Sequence, residues 1–301
     1  MRYPTLKPLL LLLCSALPCA AQNQQPPRAL PPADALQNLF EELSNSTALP
    51  MFGKLTDEQA RRLAQIEVSV ANEQRFGKQV LNGYMDKLKS SRTAVANRGR
   101  DVEYLQTLCN SLKPLMQNAK RYRQLDIRVI QSDATDAYSI PGGHLLFTRG
   151  LLETCGSEAA VVGVLAHELS HLDRQHQLLP LKHAQLNGTT LDLKDQMLLL
   201  GMVARPFHPE QESEADADAT EWMMAAEYEP KELVRLLESW QQRETQQVPW
   251  MQFIPTFVKS HPNPGHRATE ILRVAERLKA RYPQADFVGV NNWKQRTPRR
   301  P

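Results

Sequence analysis

The pattern of this 301-residue chain predicts an α+β fold, mostly helical with a small sheet. Three observations carry that prediction. Helical signals, caps followed by apolar residues at three- and four-residue spacing, recur from Thr56 to Tyr282. Strand signals are confined to residues 125–130, which alternate apolar and polar side chains, and to residues 138–148. Within the second stretch, Pro141-Gly142-Gly143 marks a turn leading into His144-Leu145-Leu146-Phe147-Thr148.

The chain opens MRYPTLKPLLLLLCSALPCAA. Arg2 and Lys7 precede a short apolar run at 9–17, and Cys19-Ala20-Ala21 supplies small residues for cleavage. This is the layout of a secretory signal peptide over residues 1–21, with export to a periplasmic compartment as the expectation. The run is too short to span a bilayer comfortably, so an uncleaved signal anchor is the lesser alternative. A lipoprotein acylated at Cys19 is another, weakened by the poor lipobox Ala16-Leu17-Pro18. The best later apolar stretch, 197–203, is short and interrupted by Gly201, so no transmembrane helix is expected after cleavage. Residues 22–55 are rich in Pro, Gln, Asn and Ser and read as a linker, with a short helix near 34–43.

From Thr56 the composition changes. Thr56 and Gln59 resemble a capping box opening a helix through about Phe76. A second helix runs over about 101–120, disturbed at Pro114. Ser157, with Glu158 behind it, opens a long apolar helix to about His176. Helices are expected at 191–203, from His208-Pro209-Glu210 to near Pro230, over 231–243, and from Asn263-Pro264 to about Tyr282. A folded unit over 56–285 is expected, followed by a basic tail, 286–301, that reads as a solvated end.

Composition narrows the function classes. Hydrophobic residues at 42% and charged residues at 23% exclude wholesale disorder. A net charge of +3, falling to +1 once Arg2 and Lys7 leave with the signal, argues against a nucleic-acid partner. Four cysteines are too few for a disulfide-stapled scaffold. After cleavage Cys109 and Cys155 remain, either as a pair or as two buried thiols.

The chemistry lies in His167-Glu168-Leu169-Ser170-His171. Residues four apart share a helix face, so His167 and His171 can grip one zinc ion while Glu168 reaches a metal-bound water. A catalytic zinc normally needs a third protein ligand. The pattern with a third histidine fails, because Arg174 and Gln177 stand at its Gly and His positions. Glu212-Ser213-Glu214-Ala215-Asp216 supplies the alternative. Glu212 and Asp216 share a face, so Glu212 can complete the zinc shell while Asp216 fixes the tautomer of a ligand imidazole. Glu214 points about 200° away from Glu212 around the helix.

His167-Glu168-x-x-His171 followed by Glu212-x-x-Ala215-Asp216 resembles the HtpX/Oma-type gluzincin metallopeptidases, zincin-like enzymes. Residues 137–143 and 148–152 resemble that family's Asn-Ala-Phe-Ala-x-Pro-Gly-Gly strand and its Thr-Arg-Gly-Leu-Leu continuation. His261-Pro262 with Arg267 resembles its His-Pro-x-x-x-x-Arg element, and His176 a histidine that often follows the zinc helix. In layout the chain is similar to soluble periplasmic BepA- and LoiP-like proteases, without TPR repeats. Asp136, where the family usually has Asn, and residues 204–209 depart from the pattern.

The resemblance implies one Zn2+ per chain and a small sheet whose edge strand, placed at 144–148, borders the cleft. It implies an endopeptidase acting on unfolded or misassembled proteins, with room for association at the membrane periphery. Glu168 would be the general base. His261 would be an oxyanion stabiliser or a reversible fourth ligand, and Arg267 an ion-pairing anchor. A zinc-containing chaperone or assembly factor with a latent site is the alternative, with residues 177–200 as its lid.

Overall fold

The computed structural model describes residues 62, 63, 65–186, 207, 209–245, 261 and 263–299. The leader, the linker, the Thr56–Gln59 cap and the expected helix at 191–203 lie outside them. Residues 66–69 are not helical where the sequence suggests one continuous helix, and α1 (Val70–Ser90) runs on well past Phe76. Ser69 is its cap, accepting from the Asn72 backbone N–H, and Phe76, Val80, Leu81 and Leu88 form its buried stripe. Helix α2 (Arg100–Leu112) gives way to a 3₁₀ turn at Lys113–Leu115, where Pro114 removes a helical donor.

The sheet holds β1 (Val95–Ala96), β2 (Asp126–Ile130), β3 (Ala137–Ile140) and β4 (His144–Thr148) in the order β1-β2-β4-β3. Strands β2 and β4 run parallel, while β3 is antiparallel to β4. The expectation that 144–148 forms the edge is therefore wrong. Strand β4 is interior, and β3 is the edge that faces the long helix. The reason is the Pro141-Gly142-Gly143 hairpin, whose glycines take φ of +84° and +88° and fold β3 back outside β4. A half-buried alternation in sequence does not say which hairpin strand lies outermost.

The short helix α3 (Arg149–Thr154) follows β4, and Ser157 then caps α4 (Glu158–Asp173). All sixteen residues of α4 are buried. It packs on β3 on one side and on α6 (Pro209–Ala225) and α7 (Lys231–Thr245) on the other. A 3₁₀ turn, His176–Leu178, leads into α5 (Leu179–Leu186). Helix α8 (Pro264–Leu278) packs on α6 and α7.

The tail corrects a second expectation. Residues 290–295 form α9 (Val290–Gln295), and Trp293 is buried in the main core cluster. Arg296 stacks on Trp293, 3.4 Å from its ring centroid, and its Nε donates to Asp101 Oδ1 at 2.6 Å. One buried aromatic and two partnered arginines hold a segment that its basic composition marks as solvated. Cys109 and Cys155 are both free and buried, so they do not pair. Burial pushes both thiols up to about 12.

Candidate metal centre

Helix α4 carries His167 and His171 one turn apart, and α6 crosses it with Glu212 buried toward them. His261 arrives just before α8. The four side chains each offer a donor, and these atoms all lie within 4.8 Å of one another. His171 Nε2 is 3.1 Å from His167 Nε2, which is 3.2 Å from His261 Nδ1. Glu212 Oε1 stands 2.9 Å from His261 Nδ1 and 3.5 Å from His171 Nε2. Four donors about 2.0–2.1 Å from one ion at tetrahedral angles stand about 3.3 Å apart, so the cluster has the dimensions of a zinc site.

Hydrogen bonds fix which nitrogen faces the cluster. His167 Nδ1 lies 3.0 Å from Asp216 Oδ1, so it carries the proton and leaves Nε2 as the donor. His171 is set by a longer chain. Glu214 Oε2, an acceptor, lies 3.2 Å from His176 Nε2, and His176 Nδ1 lies 2.9 Å from His171 Nδ1. A neutral His176 protonated toward Glu214 must accept from His171, which again frees Nε2. Glu214, half exposed and turned away from the cluster, thus serves a ligand indirectly.

Charge fits the same picture. Burial lowers His171 to about 3 and His176 to about 3, keeping both imidazoles neutral as metal ligation requires. Burial alone would raise Glu212, but the charges of His261 and Arg267 outweigh it and hold the carboxyl well below its ordinary value. Asp216 is likewise raised by burial and drawn down to about 2 by Arg267, whose Nε and Nη2 reach its two oxygens at 2.8 and 2.7 Å. Arg267 Nη1 also donates to the His261 carbonyl at 3.2 Å, so one guanidinium holds Asp216 and the His261 loop together. Burial opposes a charge on His261, yet Glu212 and Glu168 prevail and raise its pKa. The cavity is anionic enough to draw a cation.

Glu168 sits beside the cluster, fully buried, with Oε1 3.4 Å from His261 Nε2. Among the described residues no hydrogen bond reaches the buried oxygens Glu168 Oε1 and Glu212 Oε2, and the second has a cation close by, Arg267 Nη1 at 3.3 Å. Such atoms are costly unless something answers them.

The structure thus gathers His167, Glu168, His171, Glu212, Asp216, His261 and Arg267. Asp136 lies apart from the cluster. It is buried, accepting from Tyr138 Oη, and its backbone N–H is bonded to Thr148 Oγ1 at 2.9 Å. Sequence reading missed Phe207, whose ring stacks on His171 at 3.9 Å, and the links from Glu214 and Ser139. Only the lining-up of Glu214 with His176 left a trace in sequence, as acidity on the far face of α6.

No ordinary packing role calls for three imidazoles and a carboxylate at this spacing, whereas a zinc metallopeptidase does. The profile of peptidase family M48 matches residues 103–275, and the chain belongs to that family. M48 metallopeptidases use zinc, in agreement with the donor set. The chain is 28% identical over 156 residues to the mitochondrial metalloendopeptidase OMA1 of Schizosaccharomyces pombe, covering 48% of this chain and 45% of that one. It is 23% identical over 167 residues to the protein of the same name from Saccharomyces cerevisiae, covering 52% and 48%. The chain spans about half the length of the curated relatives it matches.

Proposed function

We propose that the protein is an exported zinc endopeptidase that cleaves unfolded or misassembled proteins. The single observation carrying this reading is the tetrahedrally spaced donor cluster with a buried carboxylate oxygen of Glu168 beside it. His167, His171 and Glu212 would hold the metal. Zinc there would supply the Lewis acid that acidifies a water and polarises the scissile carbonyl. Glu168 takes the proton from the attacking water and delivers it to the leaving amine. Asp216 and Arg267 keep His167 in its ligating tautomer. The substrate adds to edge strand β3. All four β3 residues lie in register with β4, and the Thr148 N–H to Asp136 carbonyl bond at 3.0 Å sets the alternation that turns the backbone groups of Ala137 and Ser139 outward. Backbone recognition of that kind tolerates many sequences and suits unfolded chains. Export rests on the leader layout of residues 1–21, and a mature protein beginning at Gln22 is the expected product.

One observation favours a second reading, a zinc-containing chaperone with a latent site. His261 Nδ1 completes the donor cluster, in the place where a catalytic zinc keeps a position for water. Its withdrawal would be the opening step of turnover. Metal analysis with casein cleavage, wild type against Glu168→Gln, tests both readings. One zinc per chain in both proteins, with cleavage lost by at least about 10³-fold in the variant, is the expected result. Cleavage by Glu168→Gln at the wild-type rate overturns the mechanism. Zinc without turnover in the wild type favours the chaperone.

A further inference from the structure

A general base must be held still with one oxygen left open. Here Ser139 Oγ lies 2.7 Å from Glu168 Oε2, and Gln177 Nε2 lies 2.6 Å from Ser139 Oγ. All three side chains are buried. The direction of this chain follows from donor arithmetic. An ionised carboxylate only accepts, so the bond to Glu168 must be donated by the Ser139 hydroxyl. That hydroxyl has one proton, already committed, so Gln177 must donate its amide hydrogen to the serine oxygen. The chain therefore runs from Gln177 to Ser139 to Glu168 and ends on Oε2. Oε1 is left facing His261 Nε2 at 3.4 Å, on the cluster side.

We infer that Ser139 is a positioning residue for Glu168, that Gln177 orients it, and that Oε1 is the oxygen that takes the proton. This rests on the role of Glu168 proposed above. The two supports come from different walls of the cleft. Ser139 belongs to edge strand β3, where substrate would add, and Gln177 to the turn that follows the zinc helix. The base is thus referenced to both the strand that would receive substrate and the turn that closes the zinc helix. A positioning role differs from packing in having a defined order of action. Gln177 works only through Ser139, and Ser139 only through Glu168.

The zinc-loaded full chain, assayed on an unfolded peptide, tests this order. Ser139→Ala is expected to lower kcat about tenfold, the cost of one charge-assisted hydrogen bond in the transition state, with KM within about twofold and one zinc retained. Ser139→Thr, which keeps the hydroxyl, is expected to recover most of that loss. Gln177→Ala is expected to lower kcat about threefold alone and not at all in a Ser139→Ala background, since coupled residues do not add. A readout without metal accompanies these. In the zinc-free protein, Ser139→Ala is expected to lower the melting temperature more when Glu168 is present than in a Glu168→Ala background, where only the bond from Gln177 is lost. Wild-type kcat in Ser139→Ala, multiplying losses in the double variant, or equal melting shifts in both backgrounds would overturn the inference. Should Ser139→Ala not fold, Gln177→Ala against Ser139→Thr carries the same comparison. An active Glu168→Gln variant would instead overturn the base assignment itself, so the two failures are distinguishable.

Discussion

Helix α4 carries two fully buried glutamates, one at its N-terminus and one in its C-terminal half, and the two are treated in opposite ways. Glu158, at the N-terminus, accepts from Tyr104 Oη at 2.6 Å, Tyr228 Oη at 2.8 Å and the Arg299 backbone N–H at 2.9 Å. Burial first, and then Glu158 itself, pushes both tyrosines above their ordinary values, so the hydroxyls stay protonated and keep donating. The helix N–H groups beside it are answered as well: Glu158 and Ala159 donate to the carbonyls of Gly289 and Val288, and Ala160 to Ser157 Oγ. About three turns later, Glu168 accepts one bond on Oε2, and none reaches Oε1. A carboxylate with donors on both of its oxygens is a strut. One with an open oxygen 3.4 Å from a histidine of the donor cluster is held for a reaction.

Five substitutions, at four residues, break or sharpen this contrast. The largest effect belongs to the open end. Glu212→Gln removes the one anionic donor of the cluster, and zinc retention should weaken at least about 100-fold with cleavage falling with it. Dialysis followed by metal analysis checks this. The metal-free variant should also melt below the metal-free wild type, because Glu212 pairs with His261 Nδ1 at 2.9 Å and with Arg267 Nη1 at 3.3 Å. At the closed end the effects are on stability. Trp293→Ala empties a core position and strips the platform under Arg296, an expected cost of about 4 kcal/mol by chemical denaturation. Glu158→Ala orphans two buried tyrosine hydroxyls and should cost about 3 kcal/mol, while the fraction that stays folded still binds one zinc. If Glu158→Ala instead stripped zinc from a stably folded protein, the division of labour along α4 would be wrong.

The open end of α4 was far more legible in the sequence than the closed end. His167 and His171 share a face by helical geometry alone, and a following helix with Glu212 and Asp216 at the same spacing could be matched to them without a structure. The helix angle also separated Glu212, buried at 3% exposure, from Glu214, half exposed. Ser139 and Gln177 could not be found this way. Their bonds depend on β3 folding outside β4 and on where the 3₁₀ turn lands, and neither is periodic. Glu158 looked like an acidic residue at a helix N-terminus, which any solvated helix would favour. Only the fold brings Tyr104, Tyr228 and the tail around it. The tail itself misled because basic composition describes its side chains, whereas its docking uses an indole and main-chain groups.

That last point yields the smallest and most discriminating prediction. Arg299 makes two kinds of contact. Its guanidinium pairs with Glu227, which is 44% exposed, and lies 4.7 Å over the Phe287 ring, while its backbone N–H reaches Glu158 in the interior. An exposed ion pair is worth about 0–1 kcal/mol, so Arg299→Ala should lower stability by less than about 1 kcal/mol. Arg299→Pro deletes the same side chain and also the N–H, leaving Glu158 one donor short in a buried site. It should cost about 1–2 kcal/mol beyond the alanine variant, read as a shift in denaturation midpoint at unchanged slope. Equal losses in the two variants would mean that the side chain, and not the main chain, ties the tail to α4. The third donor of Glu158 would then be dispensable, and its closure would rest on the two tyrosines.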